Sequence, residues 1–364
     1  MPRRAARDAA LGGVLAAAVA LALPAPAATL LVNDGLAPPD PAHVLGPGDT
    51  TLVDDVWVRD AGCGSALDPA APCAAPGVAS GVAIAGTDVN AVFAWDGSSA
   101  TLGAGATAGT LSVRDSGSAM VDGASIAHAS IGDAASIVVA AGQIAQLDLA
   151  GTGGVDLDGG AIAATSGGAA RVAIDGATFT GAANFANVAD FRMQSGRSNA
   201  FLFLGNGAAS ISGGDFAGQL WLAASTAALS GGTLAETATL VASDASAVDW
   251  TGGLTRDDAG GAITTDIDVR TGAVLRIGGS AFAVDGVPVA SGTVLAGGGG
   301  LSFATLAGTL ASGEAFTAFV RNDGSATIAL VPEPGTGALA ALGVAGLALR
   351  RSGCGASRRR RGRA

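Results

Sequence analysis

A short motif recurs along this chain: an apolar residue, a small or polar residue, then glycine. Copies stand at Leu102-Gly103, Val121-Asp122-Gly123, Ala140-Ala141-Gly142, Leu157-Asp158-Gly159 and Ile174-Asp175-Gly176. They continue at Gln194-Ser195-Gly196, Ile211-Ser212-Gly213, Leu229-Ser230-Gly231 and Trp250-Thr251-Gly252. Counted from the middle residue, with Gly103 as the first, the steps are 19, 19, 17, 17, 20, 17, 18 and 21. Helical-hairpin repeats need about 33 residues or more, so they are excluded. Leucine-rich repeats have a comparable period, but their leucine spacing and asparagine are missing. The step fits an all-β fold: a single-stranded right-handed parallel β-helix, or β-solenoid, of about 19-residue coils.

Each coil is expected to hold two or three strands of roughly 3–5 residues. Segments such as 219–222 and 239–242 would stack on their equivalents in neighbouring coils. Glycine and small polar residues would turn the corners, where positive φ is needed. No single coil can bury its apolar face alone, so the inward Val, Ile and Leu must form stacked columns. A β-sandwich is the alternative, since it uses the same strands and turns, although it does not require a near-constant step. The ends of a solenoid need caps. Residues 51–59 and the loop after them suit the N-terminal one. Beyond residue 272 the pattern lengthens to strands at 274–277, 301–306, 315–321 and 326–331, with Asn322-Asp323-Gly324 reading as a hairpin turn.

The two ends differ from the body. At the N-terminus Arg3, Arg4 and Arg7 precede an apolar run over 9–23 and the small-x-small site Ala25-Pro26-Ala27, so a secretory signal would be removed to leave a chain starting near Ala28. The Arg3-Arg4 pair lacks the flanking residues of a twin-arginine signal, which favours the general secretory translocon. At the C-terminus Val331-Pro332-Glu333-Pro334 is an extended spacer, because Pro332 and Pro334 continue neither helix nor central strand. An uncharged run follows over 335–349, then Arg350, Arg351, Arg358, Arg359, Arg360, Arg361 and Arg363. An apolar helix flanked by arginines places them in the cytoplasm. Fifteen residues is short of the about 20 needed for a full span. A buried core helix is the competing reading, and six arginines after Arg350 leave it nothing to pack against.

This tail resembles the PEP-CTERM sorting signal: a Pro-Glu-Pro motif, a short hydrophobic helix and a basic cluster. The resemblance covers 331–364. It implies processing by an exosortase, a membrane transpeptidase-like protease that cuts near the motif, with Glu333 serving recognition. It also implies an exported surface or matrix component of a Gram-negative, exopolysaccharide-producing bacterium, anchored only transiently in the inner membrane. Exopolysaccharide is the candidate matrix partner. The resulting division is a signal peptide (1–27), a lead-in and cap (28–95), solenoid repeats (96–271), a C-terminal β cap (272–330) and the sorting signal (331–364).

Between the ends, 28–331 holds nine arginines, no lysine and 28 acidic residues, nearly all aspartate, for a net charge of −19. A body so acidic argues against nucleic acid or anionic lipid as a partner. Glycine makes up 58 of 364 residues, about twice its usual share. Charged residues are nevertheless too sparse for a disordered chain. Cys63 and Cys73 close a short loop and in an exported chain are expected to pair as a disulfide.

Residues that carry chemistry are few. His43 lies in a proline-rich lead-in, and His128 reads as an outward solenoid residue. No Gly-x-Ser-x-Gly elbow, zinc-binding histidine pair or P-loop occurs, and no cofactor or metal site is expected. Asp122, Asp133, Asp156, Asp158 and Asp175 lie near corners, where calcium ligation competes with plain turn capping. Gly151-Thr152-Gly153-Gly154-Val155-Asp156 echoes a calcium-binding nonapeptide once, whereas that motif works in tandem. A polysaccharide lyase would need a base beside acidic groups; Arg171, Asp175, Asp190 and Arg192 supply the types but lie on different coils. Trp221 and Trp250 are candidates for stacking on sugar or for core filling. The expectation is a non-enzymatic surface or matrix protein. A polysaccharide-binding or polysaccharide-cleaving β-helix and a permanently anchored protein stand as alternatives.

Overall fold

The structure is a computed structural model. It describes residues 28–332 except 39, 41–42, 48–52, 66, 74–76, 236–237, 255–263 and 297–301. Every described element is a strand, and the strands join in parallel from coil to coil. The expected signal peptide and the expected C-terminal helix lie outside the described residues.

The nine sequence copies each follow one rung of a single sheet. The rungs begin at Ser99, Ser118, Ser136, Gly154, Arg171, Asp190, Ala208, Thr226 and Ala247. Inward residues stack in register along Ala100, Ala119, Ile137, Val155, Val172, Phe191, Ala209, Ala227 and Val248. The next inward column, Leu102, Val121, Val139, Leu157, Ile174, Met193, Ile211, Leu229 and Trp250, is at most 1% exposed. An unbroken stack of this kind excludes the sandwich. Coiling also starts before residue 96, since Gly81–Ile84 pairs with Ser99–Leu102 and Val53–Val58 pairs with Asp88–Ala94.

Two further faces close each coil. In the N-terminal half they form one bent strand per coil, as in Thr107–Val113 and Ala161–Gly167. Beyond Arg171–Phe179 they separate into distinct short strands. One set runs through Asp215–Phe216 and Thr233–Leu234. The other runs through Ala183–Ala186, Leu202–Gly205, Leu220–Ala223 and Thr239–Ser243. Phe179, Phe185 and Phe191 come from different faces and meet in the centre, with ring centroids 5.8 and 5.4 Å apart.

Strands are longer than the 3–5 residues expected: Ser118–Ile131 and Ser136–Leu149 each run for 14 residues through a corner. Glycine is the reason. Gly123, Gly142, Gly176 and Gly196 turn the corner with φ between +93° and +124°, and the chain stays extended on both sides. The packing is equally restrictive, because a Cβ on Gly142 would lie 2.2 Å from the Ala124 carbonyl oxygen of the coil below. The opposite corner uses a second device. Asp96, Asp115, Asp133, Asn187, Asn206 and Asp244 all have φ between +53° and +61°, the left-handed region that Asp and Asn tolerate best.

Both ends depart from simple coiling. At the N-terminal end buried Arg59 donates to the Asp96 carboxylate at 2.8 Å and to the carbonyls of Pro69 and Ala71 at 2.7 and 2.8 Å. It thereby holds the Cys63–Cys73 loop, whose sulfurs are bonded, against the first coils. At the other end Thr264–Val269 pairs in parallel with Ala315–Asn322, and Val274–Val284 pairs in parallel with Thr327–Pro332. Asn322-Asp323-Gly324 is therefore one more coil corner and not a hairpin turn. Buried Asn322 accepts the Gly324 N–H at 3.0 Å and donates to the Ala326 carbonyl, while Asp323 accepts the Thr271 N–H of the corner beneath at 2.6 Å. Antiparallel strands Ser302–Leu310 and Val294–Ala296 then cover these last rungs, which protects edges that would otherwise pair with other chains.

Replacing Gly142 with alanine should cost about 3 kcal/mol in a denaturant titration, through backbone strain and contact with the coil below. Gly272→Ala should cost clearly less, since no atom lies within 4 Å of its added methyl. Equal losses would show that the corner spacing is not the constraint.

Candidate functional site

The sorting motif starts inside the fold. In Thr327–Pro332 the side chains alternate, with Ile328 and Leu330 buried at 2% and 1% and Val331 and Pro332 exposed. Ile328 stacks over Leu275 and Leu330 over Ile277, so this strand is the last rung of the inward columns. Val331 and Pro332 remain in register with Gly278 and Gly279. Pro332, the last residue of the strand, has no N–H to donate to a further ladder bond. Glu333, Pro334, the run 335–349 and Arg350, Arg351, Arg358, Arg359, Arg360 and Arg361 lie outside the described residues, as do Ala25 and Ala27. Ala28 opens the first strand, Ala28–Val32. No helix among the described residues is long and apolar enough to cross a membrane.

The groups considered for catalysis are held apart or in local pairs. Arg171 donates to Asp156 at 2.6 Å, Arg192 contacts Asp190 at 2.7 Å, and Ser195 donates to Asp175 at 2.8 Å. The hydrogen bond and charge of Asp190 push the Arg192 guanidinium further toward its protonated form, the opposite of what a general base needs. Such exposed pairs contribute little to stability. Among the described residues, Cys63, Cys73 and Asp96 alone form a convergent group of ligand type, and its two sulfurs are bonded to each other. Among the described residues, the carboxylates of the corner aspartates do not converge in threes.

A cluster missed in the sequence centres on Asp148. Its carboxylate contacts His128 Nε2 at 2.7 Å and accepts Gln146 Nε2 at 2.6 Å and the Ser166 hydroxyl. His128 and Gln146, and likewise Asp148 and Ser166, are 18 residues apart, one coil each, and that spacing was the available signal. Partial burial raises the Asp148 carboxyl, but the bonds from Ser166, His128 and Gln146 outweigh it and hold the group below the ordinary 3.8. The Thr271 N–H, then Ser325, likewise lowers Asp323.

Close to this cluster, a groove of about 570 Å³ follows the bend between two faces. Gly109, Ala127, Ala145 and Ala163 occupy the bend of successive coils, and Thr107, Ser125 and Gln143 line one side. Trp250 is a core residue: it is fully buried, and its Nε1 donates to the Gly253 carbonyl at 2.9 Å. Trp221 sits half-buried on an outer face against Phe201 and Phe203, with Nε1 donating to Ser243 at 2.7 Å.

Residues 330–352 match the family model described as the PEP-CTERM protein-sorting motif. The motif marks the chain as an exported protein targeted by an exosortase. No curated protein matches the chain, and no solved structure matches it.

A depressed carboxylate pKa favours the ionised form in the folded protein. That stabilisation is complete above the unfolded value near 3.8 and is lost as pH falls through the lower folded values. Thermal midpoints should therefore change little from pH 7 to about 5 and fall below about 4. Asp148→Asn and Asp323→Asn should each flatten the acid limb, and an unchanged limb in both would count against these carboxylates.

Proposed function

We propose that the chain is a non-enzymatic solenoid exported across the inner membrane, anchored transiently by its tail, and released by an exosortase to the cell surface or extracellular matrix. The observation that carries this reading is the sorting motif at 330–352, whose Val331 and Pro332 emerge exposed from the last rung of a capped body. The delivered part would act as a rigid acidic scaffold. Parallel stacking gives it a fixed length, and its aspartates, many of them at corners, keep an apolar, alanine-rich chain soluble. Exopolysaccharide is the partner this reading favours at the surface.

Intact mass and fractionation of the native product test the reading, in cells with and without the processing enzyme. The expected product starts near Ala28, lacks the arginine tail, and is found outside the inner membrane only when the enzyme is present. A retained Arg363 in both strains would instead make the tail a permanent anchor.

The groove favours a second reading, an extended carbohydrate chain bound along the coils. Its lining crosses four coil-to-coil steps, from Thr107 to Thr180, or about 19 Å at the usual strand spacing. Binding on a glycan array that is lost in Ala127→Phe, with no cleavage products, would support it. Cleavage of a polysaccharide by the purified body would overturn the non-enzymatic reading.

A further inference from the structure

We infer that the bond cut during processing lies on the C-terminal side of Pro332, so that Val331 and Pro332 stay in the mature protein as the end of its last rung. This rests on the reading that an exosortase processes the chain, and it assigns the side of the motif on which the enzyme works.

Cleavage of a peptide bond needs a nucleophile at the carbonyl carbon and hydrogen-bond donors at the carbonyl oxygen as charge develops there. Upstream of Val331 those positions are already occupied. The Leu330 carbonyl accepts the Gly292 N–H at 2.6 Å, and the Leu330 N–H donates to the Thr293 carbonyl at 2.9 Å. The strand is flanked by Val274–Val284 on one side and Val294–Ala296 on the other, so both backbone edges are covered. The Leu330 side chain is 1% exposed above Ile277. An enzyme acting on the Leu330–Val331 bond would have to strip the rung from the cap. Val331 and Pro332 are the first exposed side chains, and the parallel register with Gly278 and Gly279 ends at Pro332. The first bond past that register is Pro332–Glu333.

Chain length adds a second constraint. Three residue steps separate Pro332 from Gly335, where the apolar run starts, and they span at most about 11 Å. The tethered cap is therefore held close to the membrane-facing segment, and unzipping the last rung is the only way to bring upstream bonds to an enzyme there. The chemistry balances simply. The acyl carbon exchanges its bond to the tail nitrogen for one to water or to an acceptor amine. The tail nitrogen takes up a proton and leaves as a new amino terminus.

The absence of lysine makes the test direct. Arg321 is the last arginine before the motif, so trypsin releases the mature C-terminus on a peptide starting at Asn322. Tandem mass spectrometry of that peptide, from full-length precursor processed in cells, reads its last residue and any acceptor attached to it. The expected last residue is Pro332 or one beyond it, with the arginine tail lost. A peptide ending at Val331 or earlier overturns this inference and leaves the sorting reading standing. An uncut tail in cells that contain the enzyme overturns both.

Discussion

Parallel backbone hydrogen bonds hold each coil about 4.8 Å from the next, and the rest of the molecule is fitted to that spacing. At the glycine corners the chain turns with φ near +100° directly over the carbonyls of the coil below, which leaves no space for a Cβ at Gly142 or Gly196. On the faces the same spacing forces like positions into columns. Leu157, Ile174, Met193, Ile211, Leu229 and Trp250 stack in one buried column from coil to coil. The length of a coil varies between corners, whereas the register on the faces does not.

This division explains what the sequence made legible. The glycine step was visible because one residue type dominates that corner, and its nine copies correspond to nine rungs. The other corner was hidden. Asp96, Asp115 and Asp133 give way to Gly151, then to Asn187 and Asn206, so several residue types answer the same demand for positive φ. Asn322-Asp323-Gly324 has a composition that fits a hairpin, yet the rung beneath it, ending at Val269, captures the chain as another parallel coil. Local turn chemistry allows both outcomes, and stacking on an existing edge selects one. The Asp148 cluster was obscure for a related reason: its members are close only after 18-residue steps are superposed.

The acidic residues are largely tied to the scaffold. Asp96 receives Arg59 at the N-terminal end, Asp148 gathers His128 and its neighbours, and Asp323 fastens the last corner. The candidate lyase residues lie in the same kind of local pairing. Residue types alone are visible in the sequence, which has no means of showing that Arg171 turns to Asp156 and Arg192 to Asp190.

The two ends give the body its meaning. Its first strand opens at Ala28, beside the expected signal cleavage, and its last strand closes on Pro332, inside the sorting motif. Delivery and folding therefore share residues at the C-terminus. Hydrogen exchange on the mature protein tests this most directly. The account predicts that the Thr327 and Leu330 amides, bonded to Ala273 and Thr293, are protected to a degree comparable with the internal rung amides of Ser230 and Thr251. Exchange of Thr327 and Leu330 at the rate of an unstructured tail would contradict it, because the motif would then hang free of the fold.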